Sequence, residues 1–278
     1  MADSARLKLQ RAQEHLEALQ REIQDFDRRS PNTVVVEPNV NGYNFPIRLS
    51  LKEAVPLDRW GLLIGDCIHN ARSALDHAVW QLTGKTVDAE DTRTQFPIFD
   101  DPKKFRDFGR RMIATLDPAT QFRPRAIIKW MQPYRRAHPR NAGLWVLHQL
   151  DVADKHKVLG IGAVVHNRIE VRVEGVNGTL VHSPAFTFDT LARFEDGAHL
   201  GWLHCADVTA PEGMEKEVNV YAHLTVDVVF DEGVPSAYRG SVIIPTLQDL
   251  LKGTFQIVAL LFDSAMPSQE APPLSPHV

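Results

Sequence analysis

The sequence predicts an α+β protein: a helical bundle part, then a mostly antiparallel β-sheet, then a C-terminal helix that packs back on the core. Three observations predict it. Apolar residues recur every three or four positions through most of 1–157, give way to β-rich runs from 158 to 244, and return to helical spacing over 246–266. With 44% hydrophobic residues in 278, the chain has enough apolar material for a real core, which excludes wholesale disorder.

The first helix spans 4–29, where Leu7, Ala12, Leu16, Leu19, Ile23 and Phe26 recur amid charges until Ser30-Pro31 ends it. Two β-rich runs, Thr33 to Val36 and Phe45 to Leu51, flank the turn-forming Pro38-Asn39-Val40-Asn41-Gly42 and predict a hairpin. A second helix runs from Leu57 to Leu82, introduced by Pro56 and Asp58 and closed by Gly84. Phe96 to Phe99 is extended, helices follow over 102–115 and 118–131, and another runs from Leu144 to Lys155. Strands are expected at 158–166, 168–173, 179–182, 186–188, 203–206, 218–230 and 241–244, separated by Gly- and Asp-containing turns. The organisation expected is 1–157 mainly helical with the hairpin near 33–51, 158–266 as sheet plus C-terminal helix, and 267–278 as a disordered tail with four prolines.

Charge is unevenly spread. The net charge of −4 argues against a general polyanion binder, yet residues 102–140 carry eleven basic side chains against Asp107 and Asp117. That block, with Lys103, Lys104, Arg106, Arg110, Arg111, Arg123, Arg125, Lys129, Arg135, Arg136 and Arg140, is +9 and leaves −13 for the rest. Such asymmetry suits one face that meets phosphates, or else a solvated surface paired with acids elsewhere. No run approaches the ~18 apolar residues of a membrane span, and the N-terminus has no apolar signal segment, so no membrane and a cytoplasmic location are expected. Cys67 and Cys205 lie in apolar contexts, which fits reduced, buried thiols.

The chemistry concentrates on the second helix. Ile64, Ile68, Ala71, Leu75, Ala78 and Leu82 form one apolar stripe, while Asp66, His69, Ser73, Asp76 and His77 lie opposite, between apolar Leu62 and Trp80. A surface helix ordinarily shows Lys, Glu and Gln on that face, so the face is expected to be covered at both ends, at Leu62 and Trp80, and polar in the middle. Partly covered polar groups need partners, so the face is either a hydrogen-bond network between helices or the lining of a site. Metal-free RNA cleavage needs a base for the ribose 2′-hydroxyl, an acid for the leaving 5′-oxygen and a cation for the phosphorane; histidine suits the first two and a guanidinium the third.

Arg72 and His77 have the arginine, four residues, histidine spacing that resembles the HEPN superfamily, helical proteins that include many prokaryotic endoribonucleases; Ser73 stands where that family usually has Asn, Asp or His. The resemblance implies a metal-independent endoribonuclease, a toxin or phage-defence effector, that leaves a 2′,3′-cyclic phosphate. His77 would be base or acid, Arg72 the phosphate clamp, and His69, Asn70 and Ser73 orienting groups. About 140° around the helix separates Arg72 from His77, so the two converge best across a groove such as a two-fold dimer interface, and a homodimer is expected. The set Asn70-x-Arg72-x-x-Leu75-Asp76-His77, Gln132-Pro133-Tyr134 and Asp154-Lys155-His156 also resembles a combination found in bacterial proteins of no assigned activity, which implies a bacterial or phage origin.

Two alternatives accompany this. A non-catalytic binding or scaffolding module would use the polar face structurally and the sheet for its partner. A metal-dependent bundle enzyme would draw ligands from Asp66, His69, His77, Asp154 and His156, with Asp151 nearby, and would resemble the DinB-like metal-binding bundles. Asp154-Lys155-His156 equally fits the chemistry of a helix C-terminus. No glycine-rich phosphate loop is present, so no cofactor is expected.

Overall fold

The computed structural model describes residues 3–29, 32–37, 44–84, 94–118, 120–156, 159–166, 171–175, 185–188, 192–204, 218–222 and 224–262. The α+β class holds: helices, antiparallel strands and a C-terminal helix that packs on the core. Contacts divide the chain into two compact units, one of Met1–Leu19, Arg59–Gly160 and Phe230–Val278, the other of Gln20–Asp58 and Ile161–Val229. The change of period near 158 marks a change in the kind of element but not in its partners. The hairpin pairs with a later strand, and the C-terminal helix joins the helical unit.

In the helical unit, α1 (Asp3–Arg29) contributes residues 3–19 and buries Ala5, Leu9, Ala12, Leu16 and Leu19, spaced four and three apart. Leu7 lies off that spacing and is exposed, so Leu9 occupies the stripe expected for it. Helix α2 (Leu57–Leu82) buries Ile64, Ile68, Ala71, Leu75 and Ala78 as its pattern predicts, and Gly84 follows at φ 65°, the left-handed geometry that suits a glycine after a helix end. Leu62, expected to be covered, is exposed.

The helix expected over 102–115 is a composite. Asp101 caps α3 (Pro102–Lys104) by accepting from the amides of Lys103 and Lys104 at 2.6 and 3.3 Å; a π-helical turn, Phe105–Gly109, follows, then α4 (Arg110–Met112). Phe105 turns inward against Phe99 and Tyr134, with ring centroids 6.3 and 5.7 Å away. Gly109 is required there, because a Cβ would come within 2.9 Å of both the Phe99 and Phe105 rings. Helix α5 (Phe122–Trp130) starts four residues later than its pattern suggests. Asp117 and Gln121 close a turn before it, through Gln121 N–H to the Asp117 carbonyl and Asp117 N–H to Gln121 Oε1, each 2.8 Å. Helix α6 (Gly143–His156) follows two short 3₁₀ turns, Pro133–Arg135 and Pro139–Asn141.

Helix α7 (Ile243–Phe262) packs on α5 and α6. It begins inside the segment 241–244 expected as a strand. The β-branched Ile243 and Ile244 lead directly into Pro245, which is at home in the first helical turn, and the helix takes these two over while Val242 stays outside it.

The segment Phe96–Phe99 is extended, as expected, but pairs with no strand among the described residues. Its main chain is satisfied by side chains instead. Phe96 N–H donates to Asp76 Oδ1 at 2.8 Å and Phe96 C=O accepts from Arg72 Nη2 at 2.9 Å. Gln132 Nε2 donates to Pro97 C=O at 2.7 Å, Gln132 Oε1 accepts from Phe99 N–H at 3.1 Å, and Phe99 C=O accepts from Tyr134 N–H at 3.3 Å. The five bonds fasten the strip between α2 and the end of α5.

The second unit holds a four-stranded antiparallel sheet in the order β1-β2-β6-β5: Asn32–Val36, Asn44–Leu51, His199–His204 and Ala185–Phe188. The expected hairpin is its β1–β2 pair, with Val34 opposite Leu49; the turn at 38–42 lies outside the described residues. Phe45, Ile47 and Leu49 alternate inward from β2, and the 20–29 end of α1 covers this unit's core with Phe26 edge-on to Phe194 at 6.2 Å. Strands β3 (Ile161–His166) with β8 (Thr225–Phe230), and β4 (Val171–Gly175) with β7 (Val218–Ala222), form two further ladders. The single run expected at 218–230 is therefore two strands. The expected strand 179–182 and the tail 267–278 lie outside the described residues.

Gln132→Ala leaves Phe99 N–H and Pro97 C=O without partners in a buried setting and should lower stability by about 2–5 kcal/mol. Urea unfolding checks this; a loss below about 0.5 kcal/mol would mean that water meets both groups as well as Gln132 does.

Candidate functional site

Helix α2 presents two polar strips with different fates. The first is spent on structure. Arg72, whose side chain is only 7% exposed, forks between Asp76 Oδ1 at 2.6 Å and the Phe96 carbonyl. Its guanidinium is not an open phosphate clamp, because its donors already meet a carboxylate and an otherwise unpaired carbonyl. Asn70 is structural too: it donates to the Asp66 carbonyl at 2.8 Å and accepts from Lys8 of α1 at 3.3 Å.

The second strip holds His69, Ser73 and His77, with Asp66 one turn before. His69 keeps 43% of its side chain exposed, and its Nδ1 lies 3.0 Å from Asp151 Oδ1 on α6. Asp151 is 3% exposed and takes Lys155 Nζ on its other oxygen at 2.7 Å. A carboxylate only accepts, so this contact puts a proton on His69 Nδ1, and in the neutral ring Nε2 is then the acceptor. Ser73 Oγ is 3.4 Å from that Nε2. The array has the connectivity of a serine, histidine, aspartate relay, but Ser73 sits mid-helix, where the neighbouring backbone N–H groups serve α2, so no backbone oxyanion hole faces it.

Gly65 permits the close approach of the two helices, since a Cβ there would collide with the Asp154 carboxylate. Burial holds the Asp154 carboxyl above its ordinary range, with Asp151 and Asp66 adding to the effect. His77 is half-buried. Burial lowers its pKa, Lys8 lowers it further and Asp76 opposes, so at neutral pH it is a neutral imidazole. His148 on α6 is lowered in the same way, by burial first and then by Arg72, and its Nδ1 has no hydrogen-bond partner among the described residues. Burial pushes the Cys67 thiol up to about 12, so it stays protonated and inert.

A metal site is not formed from the expected ligands. Among the described residues no three His, Cys, Asp or Glu side chains converge on one point. His77 lies eight positions along α2 from His69, about 12 Å by helical rise, and the His156 side chain is outside the described residues.

The basic block also divides. Arg125 donates to the carbonyls of Ile113 and Leu116 at 2.9 and 2.7 Å and so ties down the chain before α5. Lys104 and Arg140 reach Asp100 at 3.5 and 3.2 Å, and Arg106 lies 4.0 Å from Asp107. Lys103, Arg110, Arg111, Arg123, Lys129, Arg135 and Arg136 have no side-chain partner among the described residues. Between them stand two residues that charge counting overlooks: Phe108, 55% exposed on the π turn, and Phe122, 66% exposed at the start of α5. The signal was available in Arg106-Asp107-Phe108 and Phe122-Arg123, aromatic residues set among arginines.

No helix among the described residues is long and apolar enough to cross a membrane. Comparison with known proteins finds no family model that matches the chain, and neither a curated protein nor a solved structure similar to it.

Arg72→Met strands Asp76 and the Phe96 carbonyl and should destabilise the fold by about 3–5 kcal/mol in urea titrations; a loss under about 1 kcal/mol would return Arg72 to the list of free cations. A second expectation concerns acid. Because His148 is held below its ordinary 6.5, the folded protein binds fewer protons than the unfolded chain as pH drops through 6.5. This stability is complete above 6.5 and is lost as pH falls from there to the folded-state value. His15 and His77, also lowered, act with the same sign, whereas Asp154, raised from 3.8, loses stability as pH rises above 3.8. His148→Gln should therefore flatten the fall in urea midpoint between about pH 7 and 5.5; an unchanged slope would assign the effect to the other histidines.

Proposed function

We propose that the protein binds single-stranded RNA and cleaves it without a metal ion, with His69 rather than Arg72 at the centre of the chemistry. One observation carries this: a partly exposed imidazole whose ring orientation and tautomer are set by a buried carboxylate, His69 on Asp151. With Nδ1–H on Asp151, Nε2 can take the proton of a ribose 2′-hydroxyl, and the imidazolium so formed is balanced by the carboxylate behind it. The 2′-oxygen then attacks phosphorus, the bond to the 5′-oxygen breaks, and a proton must be returned to that oxygen. The products are a 2′,3′-cyclic phosphate and a 5′-hydroxyl.

Within one chain His77 is about 12 Å along the helix from His69, too far for both to flank one phosphodiester. A second copy can bring its own His77 to the other side, and this is the reason to retain the homodimer. RNA is favoured as substrate because Phe108 and Phe122 offer stacking faces among arginines and lysines with no internal partner, the combination that holds unpaired strands. A toxin or phage-defence setting fits such an activity. RNA binding without cleavage is the second reading, since the same two phenylalanines support it whether or not His69 reacts.

Labelled single-stranded RNA incubated in EDTA should yield cyclic-phosphate ends, and His69→Ala should slow this by about 100-fold or more while changing the unfolding free energy from urea titration by about 1 kcal/mol at most, since Lys155 stays on Asp151. Mixing His69→Ala with His77→Ala protein should restore part of the activity if sites form between copies. Phe108→Ala with Phe122→Ala should weaken RNA binding by about 1–3 kcal/mol per ring. Tight binding with no cleavage would leave the binding module alone standing; no binding at low salt would end both readings.

A further inference from the structure

A cavity of about 420 Å³ lies in the helical unit, away from α2, where the start of α6 and the two 3₁₀ turns before it meet α7. Its size falls within the ~300–1,000 Å³ of small-molecule sites. Met131, Leu144, Leu147, Leu250 and Ile257 make an apolar floor. Thr254, also on the wall, turns its hydroxyl back to the Leu250 carbonyl at 2.8 Å and offers the cavity little polarity. Gly253 lines the wall in mid-α7, where glycine costs a helix about 1 kcal/mol against alanine; it gives up helical stability and leaves the space open.

The rim carries opposite charges. Arg136 and Asp249 both line the cavity, neither has an ion-pair partner among the described residues, and they are beyond salt-bridge distance of each other. Tyr238, also on the wall, donates to the Asn141 carbonyl at 3.3 Å, its phenol held above the ordinary range by burial and by Asp249, so it remains a neutral donor. A ligand with one charge would satisfy one rim group and be repelled by the other, whereas a ligand with both satisfies the pair.

We propose that this cavity binds a zwitterionic small molecule with an apolar side chain, of the hydrophobic α-amino acid class, its ammonium toward Asp249 and its carboxylate toward Arg136. The site shares only Arg136 with the basic block proposed above to meet RNA, and its test does not use RNA. Calorimetric titration with L-leucine, L-methionine, L-phenylalanine and L-tryptophan should give saturable binding by at least one. The matching carboxylic acid without the amine, and the matching amine without the acid, should bind at least tenfold more weakly. Asp249→Asn and Arg136→Gln, both rim changes, should each weaken the amino acid by about tenfold or more with the urea midpoint unchanged. Failure of all four amino acids to bind, equal binding of a singly charged analogue, or full affinity in both variants would overturn the proposal.

Discussion

An extended strip of main chain with no strand beside it must find its hydrogen bonds elsewhere, and Phe96–Phe99 finds them in Arg72, Asp76, Gln132 and the amide of Tyr134. Each of these groups, left unmet in a buried place, would cost about 1–3 kcal/mol. The strip also carries Phe96 and Ile98 into the core, so its polar anchoring and its apolar burial are one event. Residues far apart in the chain, on α2 and at the end of α5, are thereby committed to a shared partner. This gives a physical reason for Asn70-x-Arg72-x-x-Leu75-Asp76 and Gln132-Pro133-Tyr134 to occur together: most of their polar atoms serve the fold.

The commitment decides what chemistry α2 retains. His69, one step around the helix from Arg72, is free of the strip and looks toward α6, where it meets Asp151, whose other oxygen is held by Lys155. Buried carboxylate, half-exposed imidazole and nearby hydroxyl form a graded sequence from structure to solvent. Positive charge has a similar division. Arg125, Lys104 and Arg140 hold loops, while their neighbours in the same block face water with two phenyl rings among them.

Much of the architecture was legible because it depends on local period. The stripe of α2, the hairpin and the antiparallel runs follow from spacing alone. Legibility failed where a neighbour outranked local preference: Ile243 and Ile244 are strand formers taken into a helix that has Pro245 in its first turn, and Leu7 yields its place to Leu9. The site was half legible for the same reason. That α2 had an unusual polar face could be seen from its residue types, and the identity of each partner could not. Arg72 binds a carbonyl 24 residues away, and Asp151 lies 82 residues from His69. No spacing on one helix distinguishes an arginine held by distant backbone from one open to an anion.

The π turn at Phe105–Gly109 has its own consequence. There the Arg110 N–H reaches back five residues to the Phe105 carbonyl, so the coil is locally wider than its flanks and holds one residue more than a regular turn would. Phe105 and Phe108 owe their opposite directions, inward and outward, to that extra residue. Losing that one extra residue would let the coil close to ordinary geometry with Arg110 and Arg111 facing nearly as before, and the opposed placing of Phe105 and Phe108 would be what is lost. The surplus residue is thus what sets an aromatic ring on each side of this stretch, and a one-codon deletion there would cost the outward ring while the helix around it kept its phase.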